Sequence, residues 1–215
     1  MMDENQARMM NSVYRVQRHF YDATRRLFLP GRDLLLEQIA AAPQGSVLEV
    51  GCGTGRNLLI LARRFPSIQF YGVDISSEML RTAYRKVFRS GLTNIHLAQA
   101  DAQMFNAREV FNIDQLFDAV FFSYSLSMIP DWRKALEVAM ASLSPRGSLY
   151  IVDFWDQQDW PGVIRQLLIR WLAIFHVHYE PAMIRTLKTL AMKNAATLEV
   201  RSILRRYAFL ASISR

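Results

Sequence analysis

Three glycines at alternate positions, Gly51, Gly53 and Gly55, sit in the run Val47-Leu-Glu-Val-Gly-Cys-Gly-Thr-Gly-Arg-Asn57. A β-rich stretch precedes them and an apolar, helix-like stretch follows. Glycine tolerates positive φ and leaves bare backbone for a ligand to lie against. A helix N-terminus directly behind such a loop offers free N–H groups to anionic ligand atoms. A dinucleotide fingerprint has the spacing G-x-G-x-x-G, and its third glycine would fall on Arg56. The spacing here is G-x-G-x-G, with an acid, Glu49, two residues ahead. That argues against NAD or FAD. No G-K-[ST] follows, so a phosphate-binding P-loop is excluded.

Two further acids fall at strand ends. Asp74 closes the run Gln69–Asp74, 19 residues after Gly55. A carboxylate there can accept both hydroxyls of a ribose. Asp101 follows a third strand and could accept a hydrogen bond from an adenine amino group. Each acid alone fits a turn or a helix cap as well. Three of them around one glycine loop favour a nucleoside ligand.

These residues need strands and helices in alternation to hold them. Ser46–Val50, Gln69–Asp74, Asn94–Ala98, Phe117–Ser123 and Ser148–Phe154 read as strands. The fourth is apolar throughout, as a strand buried on both faces should be. Helices are expected over 32–41, 56–65, 76–90 and 131–143, with breaks at Pro43, Pro66 and Gly91. This rhythm gives an α/β fold, a parallel sheet with helices on both faces. Ahead of it, Met9, Met10, Val13, Val16 and Phe20 recur at helical steps among Arg8, Arg15, Arg18, Arg25 and Arg26. An apolar, helix-like run covers Val163 to Phe175. Leu198–Leu204 and Tyr207–Ile213 alternate like a closing hairpin. The chain divides into an N-terminal helical cap, 1–44, and one structural unit, 45–215.

Composition bounds the class. With 215 residues, 51% hydrophobic and 21% charged, one domain with a full core is expected. The single cysteine, Cys52, excludes a disulfide framework and any cysteine-based zinc site, and it reads as a small buried residue. His176 and His178 alternate but lack companion ligands, so no metal is expected. No apolar run is long enough for a membrane span. Residues 1–11 show no apolar signal-peptide core. The chain reads as cytoplasmic. Of 26 basic residues four are Lys, leaving 22 Arg, and the net charge is +7. Such a chain could meet nucleic acid or an anionic membrane, or could simply reflect codon bias toward arginine.

The constellation Glu49-x-Gly51-x-Gly53-x-Gly55, Asp74, Ala100-Asp101-Ala102 and Phe122-Ser-Tyr124 resembles the class I S-adenosylmethionine-dependent methyltransferases. The resemblance covers about residues 45–154. It implies a Rossmann-like sheet of seven strands with an antiparallel last strand. It implies S-adenosylmethionine as cofactor and S-adenosylhomocysteine as product. By the same resemblance the glycine loop and the Ser123 backbone hold the methionyl part. Asp74 holds the ribose, Ile75 packs on adenine, and Asp101 and Ala102 meet the adenine amino edge. Asn57 and Met79 complete the implied cofactor set.

The N-terminal run Tyr14-Arg15-x-Gln17-Arg18-x-x-Tyr21-Asp22-x-Thr24-Arg25, with Leu29-x-Gly31-Arg32-Asp33, resembles the bacterial betaine-lipid methyltransferases. So do Gly53-Thr-Gly-Arg-Asn57, Ser125-Leu-Ser-Met-Ile-Pro-Asp-Trp132 and Phe154-Trp155. The resemblance implies N-methylation of diacylglyceryl-homoserine to diacylglyceryl-trimethylhomoserine. It also implies a functional partner that makes the 3-amino-3-carboxypropyl headgroup, and a place on the inner face of the membrane. The phosphatidylethanolamine methyltransferases share the Tyr-Asp pair, which makes Tyr21 the catalytic candidate. Core packing is the other reading of Tyr21. Tyr14, Arg18, Arg25, Arg32 and Tyr124 are substrate candidates. The alternatives are another small-amine N-methyltransferase, an RNA or protein methyltransferase, and a non-catalytic cofactor-binding subunit. Strand four ends in Ser123-Tyr-Ser-Leu rather than in a base-reading Asn/Asp-Pro-Pro-aromatic motif, so no nucleic-acid partner is expected.

Overall fold

The computed structural model describes residues 28–41, 45–174 and 180–214. In chain order the elements are α1 (Arg32–Ala41), β1 (Ser46–Val50), α2 (Arg56–Arg64), β2 (Gln69–Asp74), α3 (Ser77–Ser90), β3 (Ile95–Gln99) and α4 (Ala107–Phe111). There follow β4 (Phe117–Ser123), a 3-10 turn (Leu126–Met128), α5 (Trp132–Ala141), β5 (Leu143–Phe154), α6 (Gly162–Ile174), α7 (Met183–Lys193), β6 (Thr197–Ile203) and β7 (Ala208–Ser214).

The seven strands form one sheet in the order β3-β2-β1-β4-β5-β7-β6. The first five run parallel, and β7 lies antiparallel between β5 and β6. Alternate side chains feed two core layers. Val47 and Phe121 pack with α1 and α2, whereas Leu48 and Phe122 pack with α5 and α7. The central strands are therefore buried on both faces, which is why they read as continuous apolar runs. The strand order changes sense at β1, with β2 and β3 on one side and β4 and β5 on the other. Open α/β sheets bind ligands at such a switch point, beyond the carboxyl ends of the strands.

Helix ends follow local chemistry. Ser76 caps α3 by accepting from Met79 N at 3.3 Å, and Gly91 ends it in the left-handed conformation. Asp131 caps α5 by accepting from Lys134 N at 3.1 Å. Asn94 precedes β3, although the sequence pattern started that strand on it. Its buried amide nitrogen donates to the carbonyls of Ala62, Phe65 and Ile68 at 3.3, 3.2 and 2.9 Å. It ties the end of α2 to the entry of β2.

Strand β5 begins at Leu143, five residues before the expected Ser148. Leu143 pairs with Phe117 and Ser148 with Ala119, so a bulge absorbs Pro145-Arg-Gly147. A Cβ on Gly147 would stand 2.9 Å from Phe117 O, so only glycine fits there. The sequence reading passed over α4 and α7. Yet α7 buries Met183, Leu187, Leu190 and Ala191 at helical spacing. Residues 28–41 share the core with the sheet through Leu35, Leu36 and Ile39. The expected amphipathic helix from Met9 to Phe20 lies outside the described residues.

Replacing Asn94 with Ala removes the side-chain donor from three carbonyls, of which Phe65 O keeps Ile68 N. Stability should fall by roughly 1–3 kcal/mol, read as a lower urea midpoint with an unchanged m-value.

Candidate active site: a cleft at the strand switch point

The loop after β1 is anchored on β2. Gly51 N and Cys52 N both donate to Val73 O, at 2.8 and 3.0 Å. Asp74 then braces the loop: its Oδ2 accepts from Gly53 N at 2.8 Å and its Oδ1 from Ser76 N at 2.8 Å. Gly51 has φ 74, and a Cβ there would stand 2.5 Å from Ser125 Cβ. Ser125 lies just past β4, and its hydroxyl donates to Val50 O at 2.7 Å. The ends of β1, β2 and β4 are thereby locked together. Gly53, also at positive φ, would direct a Cβ into space empty within 4 Å.

These ends enclose a cleft with about 100 Å³ of internal space that opens to solvent. Glu49, Gly51, Gly53, Asn57, Asp74, Ile75, Met79, Asp101, Ala102 and Ser123 all line it, and so do Arg32 and Tyr124. Gly55 does not. It is the left-handed N-cap of α2, at φ 74, and its absent side chain makes room for Ala83 of α3, whose Cβ would be 3.2 Å away.

Tyr124 is buried, and its hydroxyl donates to Pro30 O at 2.5 Å. Burial, and next the nearby Asp153, push its hydroxyl well above the ordinary tyrosine pKa. Its hydroxyl ties Pro30 to the end of β4, while the residue itself lines the cleft. Tyr14, Arg18, Tyr21 and Arg25 lie outside the described residues, as do His176 and His178.

Several cleft features had no sequence signal. Arg56 Nη1 donates to Asn57 Oδ1 at 3.1 Å, and Asn57 Nδ2 donates to Glu49 Oε1 at 2.7 Å. Gln103 brackets Asp101, donating to Oδ1 from both its backbone N and its Nε2 at 2.9 Å. Asp153, at the end of β5, accepts from Ser127 N at 2.9 Å and Phe154 N at 2.8 Å. It fixes the 3-10 turn that carries Met128 and, just after it, Ile129 into the cleft wall. Among the described residues, no group of three or more His, Cys, Asp or Glu could hold a metal ion.

Two atoms of cleft-lining side chains, Glu49 Oε2 and Ser123 Oγ, are buried without a partner. Burial drives the Glu49 carboxyl up to about 8, against the opposing Asn57 hydrogen bond and the Arg32 charge. The orphaned acid oxygen of Glu49 suits an ammonium group, and the arginines of the cleft suit an anionic one.

Residues 47–147 match the family model described as a methyltransferase domain. The chain shares the fold of an O-methyltransferase family protein from Burkholderia thailandensis (TM-score 0.71, 20% identity, 94% of this chain and 60% of that one). It shares it too with phosphoethanolamine N-methyltransferase 2 of Haemonchus contortus (TM-score 0.64, 20% identity, 82% and 39%). The chain has the class I methyltransferase fold, and the Haemonchus neighbour was solved in complex with S-adenosyl-L-methionine. By sequence the chain resembles a ubiquinone/menaquinone biosynthesis C-methyltransferase of Geotalea daltonii, 27% identical over 57% of this chain and 51% of that protein. It also resembles a 2-phytyl-1,4-naphtoquinone methyltransferase of Trichormus variabilis, 30% identical over 57% and 52%. The matched region spans about half the length of these relatives.

The raised Glu49 pKa has a stability consequence. Between about pH 4.5 and about pH 8 the folded chain keeps a proton that the unfolded chain has released, so stability falls as pH rises through that window. Glu49→Gln should flatten that slope, seen as urea midpoints that differ less between about pH 5 and about pH 8 than in the wild type.

Proposed function

We propose that this protein methylates the amine of diacylglyceryl-homoserine to give the betaine lipid diacylglyceryl-trimethylhomoserine. The observation that carries this reading is the joining, in one cleft, of the Arg32 cation with apolar walls from Leu29, Met128 and Ile129. A lipid whose headgroup bears both an amine and a carboxylate calls for that combination. The likeness of the Tyr14–Asp33 and Ser125–Trp132 runs to betaine-lipid enzymes supports the same acceptor.

When bound, S-adenosylmethionine supplies a sulfonium methyl that a nucleophile's lone pair displaces in line. The chain's part is alignment. Asp74 accepts from the ribose hydroxyls, and Glu49 Oε2, ionised, faces the methionyl ammonium. Ile75 and Met79 flank the adenine, Asp101 and Ala102 take its amino edge, and the Ser123 backbone supports the methionyl arm. Arg32 takes the acceptor carboxylate. Tyr21 orients the amine, which must lose its proton before each transfer. Its ring then faces the growing ammonium.

A second reading, methylation of a quinol ring carbon, is favoured by the named activities of the relatives. A quinol presents neither an amine nor a carboxylate to Arg32. Purified protein given labelled cofactor and each acceptor in detergent decides between them by mass spectrometry. Label in the homoserine lipid supports the proposal. Label only in a demethylated menaquinol, or only in phosphatidylethanolamine, overturns it.

Asp74→Ala should weaken S-adenosylhomocysteine binding by roughly 1.5–3 kcal/mol, measured by calorimetry. Tyr21→Phe should lose most of the turnover with cofactor affinity intact if the hydroxyl orients the amine. If the ring matters instead, Phe should stay active and Ala fail, within the roughly 0.5–2 kcal/mol of a cation–π contact. Normal trimethylation by both variants would make Tyr21 a packing residue.

A further inference from the structure

Helix α6 is apolar on two faces. Leu172 and Leu168 turn inward and pack on the core beside α1 and β5. Val163, Ile164 and Leu167, at i, i+1 and i+4, form an outward face and are 75%, 41% and 61% exposed. Leu204, at the tip of the β6–β7 hairpin and 60% exposed, extends this face, because Trp160 Nε1 donates to Leu204 O at 3.1 Å. An amphipathic surface helix turns charge toward solvent, and this one turns aliphatic side chains. Contiguous apolar surface of this kind on a folded domain marks an interaction site.

Charge indicates the occupant. The only charged side chains of α6 are Arg165 and Arg170. Arg165 is directed back to Asp156 O at 3.0 Å, and Arg170 is exposed. Arg205, also exposed, follows Leu204. Of the acids between β5 and α6, Asp156 is buried and paired with Arg206, and Asp159 is exposed. The whole chain carries +7. Aliphatic side chains rimmed by arginine suit an anionic bilayer, with the apolar groups among the acyl chains and the guanidiniums at the phosphates. A second copy of the same face would instead bring like charges together.

Position links this face to the cleft. Trp171 of α6 meets the Phe28 ring at a centroid distance of 4.6 Å, and the next residue, Leu29, lines the cleft. We propose that the outer face of α6 and the Leu204–Arg205 tip dock the protein on an anionic lipid bilayer. The Trp171–Phe28–Leu29 path then connects the membrane to the acceptor side of the cleft. This placement deepens the lipid-acceptor reading and rests on it for its purpose. The docking itself can be measured without any acceptor.

The test uses the full chain and vesicles of phosphatidylcholine, with or without phosphatidylglycerol, lacking both cofactor and homoserine lipid. Val163→Asp and Leu167→Asp, at exposed positions, should keep the fold and S-adenosylhomocysteine affinity of the wild type. Each should abolish co-sedimentation with the anionic vesicles, and molar salt should do the same to the wild type. A polarity-sensitive dye on Leu167→Cys should report water in the free protein and shift to the blue on anionic vesicles only. Unaltered sedimentation of the aspartate variants overturns the proposal, as does equal binding to neutral vesicles. A dye already in apolar surroundings without lipid also overturns it, because the face is then covered by the chain's own residues 1–27 or by a second copy. Docking without methylation of any lipid amine would sink the acceptor reading and leave the docking surface standing.

Discussion

One carboxylate sets the geometry on which the cleft depends. Asp74 receives Gly53 N on one oxygen and Ser76 N on the other. It therefore fixes the glycine loop after β1 to the turn that starts α3. Val73 O holds the same loop one residue earlier, and Ser125 holds the end of β4 against Val50. Without that bracing, a loop of three positive-φ glycines would have many conformations to lose on binding. With it, the bare backbone at Gly53 is already presented to a ligand. A carboxylate oxygen can accept from more than one donor. Bracing and ligand binding are compatible in the same group.

Glu49 is the opposite case. It sits on a central strand, buried, with one oxygen held by Asn57 and the other unpartnered. A carboxylate in that position is costly when ionised, which is why its pKa climbs to about 8. The Arg56–Asn57 pair and Arg32 moderate the cost without removing it. Such a group gains from a ligand that brings its own positive charge. Cofactor binding and ionisation of Glu49 should therefore be coupled, each favouring the other.

Much of the scaffold was legible in the residues. The five parallel strands are β-rich or wholly apolar runs bounded by glycine, proline or capping residues. Ten of the eleven cofactor candidates do line one cleft, because motif spacing at strand ends encodes position at the switch point. What was missed depends on long-range geometry. Gly55 shares the motif spacing but faces Ala83 of α3, which only the packing of two helices reveals. Tyr124 follows the strand end expected to face substrate, yet its hydroxyl is taken by Pro30, 94 positions away in sequence. The bulge that lengthens β5 requires Gly147 to pass close to the Phe117 carbonyl, and no local pattern announces that contact. Helix α7 did carry a legible spacing, so that omission reflects the reading and not the physics.

The acceptor side is built differently from the cofactor side. Strand ends and backbone N–H groups shape the cofactor end, and they belong to the best-buried part of the sheet. Residues 28–32 reach the cleft through single contacts: Tyr124 to Pro30 O, Tyr207 to Phe28 O at 3.1 Å, and the Phe28 ring on Trp171. Each of those partners lies outside the glycine loop. Asp153 holds Ser127 of the 3-10 turn from β5, while Ser125 at the start of that turn is held to Val50 of β1. A fold arranged in this way can keep one methyl donor in a constant pose and exchange the acceptor. The arginine-rich, apolar acceptor half is where the chemistry of this protein has to be sought.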